Sequence, residues 1–132
     1  AHFALPYKIE KKNFVGLVGG VSQWIFIREN VASVTVSNAN RLAEKSSEEI
    51  ARILWPEILS ALEIENIPLQ SFRIIKEKQA TFAQTPQQND LRPENQTRWS
   101  NVFLAGDWTQ TGLPATIEGA ITSGHKVANF IF

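Results

Sequence analysis

The sequence predicts an α+β protein: an antiparallel meander of short strands with a kinked helix, then a long return strand and a final strand–turn–helix. Three observations carry this. Apolar residues before position 38 recur with a period of two between short polar turns. Residues 46–62 place apolar side chains at helical spacing behind a capping pattern. Residues 101–132 read as an apolar run, a turn, and then small residues at helical spacing.

Residues 2–9 alternate, with Phe3, Leu5 and Tyr7 on one side, and Pro6 pushes this strand toward a sheet edge. Glu10 to Asn13 form a polar turn, Phe14 to Val18 a short strand, and Gly19-Gly20 a break in what reads as a hairpin turn. Gln23 to Arg28, QWIFIR, is rich in aromatic and β-branched residues. Glu29-Asn30 supplies a two-residue hairpin turn, and in the following VASVTVS Ala32, Val34 and Val36 share a face. Four strands joined in this way form a meander.

Ser46 followed by Glu49 is a capping box, and Ile50, Ile53, Leu54, Ile58 and Leu62 follow on one face. Pro56 removes one backbone donor, so the expected helix over 46–63 is kinked or broken into two abutting pieces. Leu69 to Ala83 returns to extended structure, with Lys76, Glu77 and Lys78 on a solvated strand face. Gln84 to Arg98 is polar, holds Pro86 and Pro93, and reads as a mobile loop.

Composition excludes several functions. The chain has 132 residues, enough for one ordinary domain without disulfides. Thirteen basic residues balance thirteen acidic ones, which speaks against nucleic-acid binding, where a basic excess displaces counterions. With no Cys and only His2 and His125, thiol catalysis, Cys-ligated metal and a His-rich metal site drop out. No run approaches the ~20 apolar residues of a membrane span, and the start lacks the pattern of a secretory signal. The start in mid-strand is expected of a piece of something longer, removal of an initiator Met being the plainer alternative.

The last segment, NVFLAGDWTQTGLPATIEGAITSGHKVANFIF, concentrates the chemistry. Val102 to Ala105 reads as a strand covered on both faces in a parallel sheet. Gly106 ends it, and the missing Cβ lets a ligand approach the backbone. Asp107 stands where open α/β sheets bind ligands and is placed to accept hydroxyl hydrogen bonds, with a plain Asx-turn as the structural reading. Pro114 suits the first turn of the helix, where Ile117, Ala120, Ile121, Gly124, Ala128 and Ile131 form a stripe. Gly119 and Gly124 each cost about 1 kcal/mol relative to Ala, which points to close packing. Free amides near Ala115 to Ile117 favour an electronegative group, and Glu118 either complements the helix dipole or is a surface acid.

The strand ending in AGD, followed by EGAITSG, resembles the last cofactor-contacting segment of the FAD-dependent amine oxidase and phytoene desaturase superfamily. With GDW, TGLPATIEGA, EKQATFAQTP and FVGLVGGVSQWIFIR, the chain looks most like the squalene-associated FAD-dependent desaturases, also called hydroxysqualene dehydroxylases. That resemblance implies residues 1–83 as a substrate-domain portion, 84–100 as a polar loop, and 101–132 as the C-terminal piece of a Rossmann-like FAD domain. It implies Gly106 and Asp107 at the ribityl-facing turn, and Trp108 with the Gly112, Pro114 and Ala115 loop beside the ring. Thr116, Ile117 and Glu118 would start the helix under the isoalloxazine edge, with Thr81 and Phe82 near the flavin face. Trp24 and Trp55 read as core residues, with an isoprenoid channel as the functional alternative.

The family's N-terminal G-x-G-x-x-G unit is not among these residues, since Gly16, Gly19 and Gly20 lack its spacing and no helix follows them. The expected cofactor is FAD in a full-length oxidoreductase, held jointly with a Rossmann portion; this piece alone is expected to bind it weakly or not at all and to be inactive. The expected substrate is an apolar isoprenoid of the hydroxysqualene type, and no side chain here is expected to be a nucleophile or general base. His125 is expected to play no catalytic part, and Arg92, Arg98 and Lys126 read as scattered surface cations. Carotenoid desaturase, amine oxidase, or a cofactor-free module pairing with a separate Rossmann subunit or with itself are the competing readings. The expected location is the cytoplasm, with peripheral membrane contact left open.

Overall fold

The computed structural model describes residues 1–10 and 13–132. The chain divides into two compact units, Ala1–Lys78 and Gln79–Phe132. The first holds strands β1 (His2–Ala4), β2 (Phe14–Gly16), β3 (Trp24–Arg28), β4 (Val31–Thr35) and β5 (Phe72–Arg73), with helices α1 (Asn40–Ala43) and α2 (Ser47–Leu62). The second holds helices α3 (Pro86–Asp90) and α4 (Ile117–Ile131). The molecule is thus mixed α and β, with an antiparallel five-stranded sheet.

The strand order is β2-β3-β4-β1-β5. Only β2, β3 and β4 form the expected meander. β1 pairs with β4, with Phe3 opposite Ala32, and β5 pairs with β1 on its other side. This is Greek-key order read against the chain direction. Pro6 does not place β1 at an edge, because the strand ends at Ala4 and Pro6 lies in the bend beyond it. Of the expected turn over residues 10–13, Lys11 and Lys12 lie outside the described residues. The β3–β4 turn has two residues, with Arg28 opposite Val31. Glu29 takes a φ of 56°, the positive value that primed turns need to match strand twist.

Alternation decides which sheet face is buried. Phe3, Ile25, Ile27, Ala32 and Val34 point to one face and are buried there. Helix α2 covers it with Ile50, Ala51, Leu54, Trp55, Ile58, Leu59 and Leu62, one stripe at helical spacing. Each buried Ile or Leu among them contributes roughly 1.5–3 kcal/mol through removal from water. Phe3 stacks on Trp55 at 5.8 Å, and the Trp55 indole donates to the Ile67 carbonyl at 3.0 Å, so its polar edge is satisfied in the core.

Helix α2 begins with both bonds of the Ser46–Glu49 capping box. Glu63, at φ 57°, closes it: its amide reaches Ser60 and that of Ile64 reaches Leu59, the paired bonds of a Schellman ending. The helix is a single element and not two abutting pieces. Pro56 and Arg52 are exposed, so the missing bond falls on the solvent side.

Two expected elements change. The long return strand contracts to β5, because among the described residues only Phe72 and Arg73 pair in a ladder, with β1. Lys76, Glu77 and Lys78 are exposed along a stretch without strand structure. The expected strand at Val102 to Ala105 reduces to one antiparallel bridge between Gln96 and Phe103. Val102 is exposed and no parallel ladder forms among the described residues, so covering on both faces is absent. A strand is a pairing state, and an apolar run alone does not make one.

Candidate functional site

The second unit is built around a polar nucleus. Its buried residues are Arg92, Asn95, Thr109, Gly119 and Ser123. Asn95 donates through Nδ2 to the Leu104 carbonyl at 2.8 Å and to Ser123 Oγ at 2.8 Å. The Gly106 amide also donates to Ser123 Oγ, at 3.0 Å. Thr109 Oγ1 donates to the Gly106 carbonyl at 2.8 Å. That use of its proton makes Ser123 the donor in the 2.7 Å contact between the two hydroxyls. The Asn95, Thr109 and Ser123 side chains are bonded in one consistent direction, and low dielectric strengthens such a network.

This nucleus ties the Gly106–Asp107 corner to the second turn of α4. The expected turn-and-helix juxtaposition is therefore present, although its strand is not. Gly106 has a φ of 155°, where a side chain would be strained, and a Cβ there would lie 2.4 Å from Trp108 Nε1. The expected ligand approach over Gly106 is taken by the protein's own Trp108 indole. Asp107 is half-buried, and its carbonyl accepts from Arg92.

Helix α4 starts later than Pro114. Thr116 is its N-cap, accepting from the Gly119 amide at 3.3 Å, and Pro114 and Ala115 lie ahead of it. A proline two residues before the cap shapes the approach without joining the helix. The Ala115 amide donates to Gln84 Oε1 at 3.0 Å and is not a free donor. The amides of Ile117 and Glu118 meet no protein acceptor among the described residues. Glu118 is exposed in the first turn, where its charge suits the dipole.

The expected stripe on α4 faces outward. Ile117, Ile121 and Ile131 are exposed, and Gly124 opens onto empty space. The inward face is Gly119 and Ser123, one turn apart. A Cβ on Gly119 would meet the Pro114 carbonyl at 2.8 Å, so the close packing read from this glycine is real. Phe103 stacks on Phe130 at 5.8 Å.

The stretch expected to be a mobile loop holds α3, capped by Thr85, and two of the buried side chains. Arg92 is the main correction. Expected at the surface, it is buried, and its guanidinium donates to the carbonyls of Leu113 at 2.6 Å and Asp107 at 2.7 Å. It lies 5.8 Å from the Phe82 ring centre, which leaves Phe82 half-buried and Thr81 exposed. A pocket of about 400 Å³ beside it is lined by Gln84, Thr85, Asn89, Arg92, Gln110, Gly112 and Pro114. Period and spacing missed this group: a buried Arg or Asn bonding distant carbonyls leaves no periodic trace. The nearest signal is Ser123, the serine of E-G-A-I-T-S-G.

In the first unit, Trp24 is not a core residue. It is 48% exposed on the sheet face opposite α2, with Phe14 and Phe26. Phe14 lies 6.2 Å from Trp24 and 6.4 Å from Phe26, an aromatic cluster open to solvent. Trp55 is the core tryptophan.

The chain belongs to the flavin containing amine oxidoreductase family, which matches residues 27–131. Across nearly its whole length it is 45% identical to a hydroxysqualene dehydroxylase from Rhodopseudomonas palustris, covering 99% of this chain and 31% of that protein. It is 43% identical to a hydroxysqualene dehydroxylase from Sinorhizobium fredii over 98% of this chain and 31% of that protein. A 15-cis-phytoene desaturase from Synechococcus elongatus is 33% identical over 48% of this chain and 13% of its own length. The chain thus spans about a third of the length of the first two relatives. No solved structure matches. Among the described residues no helix is long and apolar enough to cross a membrane.

Proposed function

We propose that this chain is the C-terminal portion of an FAD-dependent oxidoreductase that converts a hydroxysqualene-type isoprenoid to squalene. The observation that carries the reading is its 45% identity, over 99% of its length, to a relative of that name. A Rossmann portion outside these residues would hold FAD jointly with this piece; reduced FAD would supply the hydride that replaces the substrate hydroxyl, which would leave as water with one proton.

The residues present fit such a group. Two unpartnered amides, Ile117 and Glu118, at the positive end of α4 suit an electronegative ring edge. Asp107 is placed to accept from ribityl hydroxyls, with Gly106 fixing its corner. Gly112, Pro114, Ala115 and Thr116 shape the approach to the ring, and Trp108 shields the corner from water. Residues 1–83 then form part of the substrate domain, where the solvent-facing Phe14, Trp24 and Phe26 are the apolar wall for an isoprenoid. Thr81 and Phe82 belong to the segment leading back to the cofactor domain. Residues 101–132 belong to the Rossmann-like cofactor domain.

The test is reconstitution of the full-length protein with FAD, followed by photoreduction and addition of hydroxysqualene. Squalene formation with return of the oxidised flavin spectrum is expected. Flavin that stays reduced with every hydroxylated isoprenoid would overturn the substrate assignment. The 33% identity to a phytoene desaturase favours carotenoid desaturation as the second reading. New conjugated double bonds with phytoene, and no squalene, would select it.

A further inference from the structure

We propose that Arg92 is the positioning residue that holds the loop from Asp107 to Pro114 in its cofactor-competent shape, an inference that rests on the flavin reading above. The residue is 9% exposed. Nη2 donates to the Asp107 carbonyl at 2.7 Å and Nη1 to the Leu113 carbonyl at 2.6 Å. Weaker contacts of 3.3 Å reach Asn89 Oδ1 and Thr111 Oγ1. Asp107 and Leu113 are the first residue and the last but one of this loop, so a single planar fork ties both ends. The candidate cofactor contacts Asp107, Trp108, Gly112 and Pro114 all lie on the tied segment.

The chemistry of the side chain supports a role beyond packing. Among the described residues no carboxylate lies within ion-pair distance of Arg92. Its Nε is buried without an acceptor. Burying a cation without a counter-ion is costly, and backbone carbonyls offset this only when their geometry is fixed. The cost is therefore concentrated on two carbonyls whose placement sets the loop. Lysine cannot substitute, because one ammonium on a flexible stem does not reach two carbonyls in a fixed plane. Phe82 at 5.8 Å completes the support from the segment ahead of α3.

The test uses the full-length protein with Arg92→Lys and Arg92→Ala. The readouts are the FAD dissociation constant, the visible flavin spectrum, and unfolding of the apoprotein. Losing a charged hydrogen bond is expected to weaken FAD binding by about tenfold or more in both variants, with a shifted flavin band. Guanidinium ion is expected to restore binding to Arg92→Ala, and ammonium or sodium at equal ionic strength is not. Wild-type protein that binds no FAD sinks the flavin reading itself. Wild-type binding with unchanged affinity and spectrum in both variants overturns the role of Arg92 alone, as does weakened binding that guanidinium fails to restore. Should neither variant fold, Asn89→Ala takes their place, deleting one guanidinium contact and leaving the carbonyl bonds. About threefold weaker binding with an unaltered unfolding midpoint then supports the proposal, and an unchanged dissociation constant overturns it.

Discussion

Asn95 illustrates how much one side chain decides. Its amide nitrogen serves Leu104, Ser123 and, at 3.4 Å, Thr109, all within a buried space. Removing it leaves the Leu104 carbonyl short of a donor and Ser123 short of one partner. We expect Asn95→Ala to lower stability by about 2 kcal/mol, the cost of stranding buried polar groups. Asn95→Asp should be worse, because a carboxylate oxygen then faces a carbonyl oxygen. Chemical denaturation of both variants checks the order; an alanine variant as stable as wild type would show that the nucleus does not hold the corner. Nothing in P-E-N-Q-T announced this role. Arg92 was equally silent, since a cation next to Pro93 in a polar stretch has the composition of a surface loop. Asp107 and Gly106, by contrast, were recognisable from A-G-D-W at the end of an apolar run.

Among the elements, α4 separates helix propensity from packing. Its two glycines, Gly119 and Gly124, have opposite surroundings: the first touches the Pro114 carbonyl and the second faces open space. Gly124→Ala should stabilise by about 0.5–1 kcal/mol through propensity alone. Gly119→Ala should destabilise by about 1–3 kcal/mol, because its Cβ forces backbone apart. Thermal unfolding of the two variants should move in opposite directions, and a shift of the same sign in both would refute the packing account. Helix α2 was legible from end to end, since its cap, apolar face and proline are all local signals. Strands were less so. The return strand and the Val102 run had strand composition, yet pairing partners decided their outcome.

At the scale of the whole molecule, stability of the first unit is coupled to pH through the Glu57 carboxylate. Glu57 on α2 accepts from the amides of Val21 at 2.8 Å and Ser22 at 2.7 Å, latching the β2–β3 turn to the helix. Burial pushes its pKa up, but the Ser22 and Val21 donors outweigh this and leave it below the ordinary 4.5. The Ser22 hydroxyl is itself buried short of hydrogen-bonding geometry, so the two amides carry the contact. A folded pKa lower than the unfolded one means that the stabilisation is complete above the unfolded value. It is lost as pH falls through the folded value. The unfolding midpoint of wild type should therefore drop on acidification past the carboxylate range more steeply than that of Glu57→Gln. Parallel pH profiles would refute the latch. Glu49 on the exposed N-terminus of α2 is lowered too, chiefly by its bonds to Ser46, with the same sign.

Local signals alone determined the α2 helix with its N-cap, the β3–β4 hairpin and the A-G-D…E-G-A segment that marks the family. These depend on neighbours three or four positions apart, on alternation, or on a short motif, and the chain carries that information wherever it folds. Tertiary structure alone decided the β2-β3-β4-β1-β5 order, the outward turn of Trp24 and the α4 isoleucines, and the burial of Arg92, Asn95, Thr109 and Ser123. Those outcomes rest on hydrogen bonds between residues up to 28 positions apart within the second unit and on pairing between distant strands in the first. A buried polar atom takes whichever partner the fold brings within about 3 Å, and no periodicity along the chain encodes that partner.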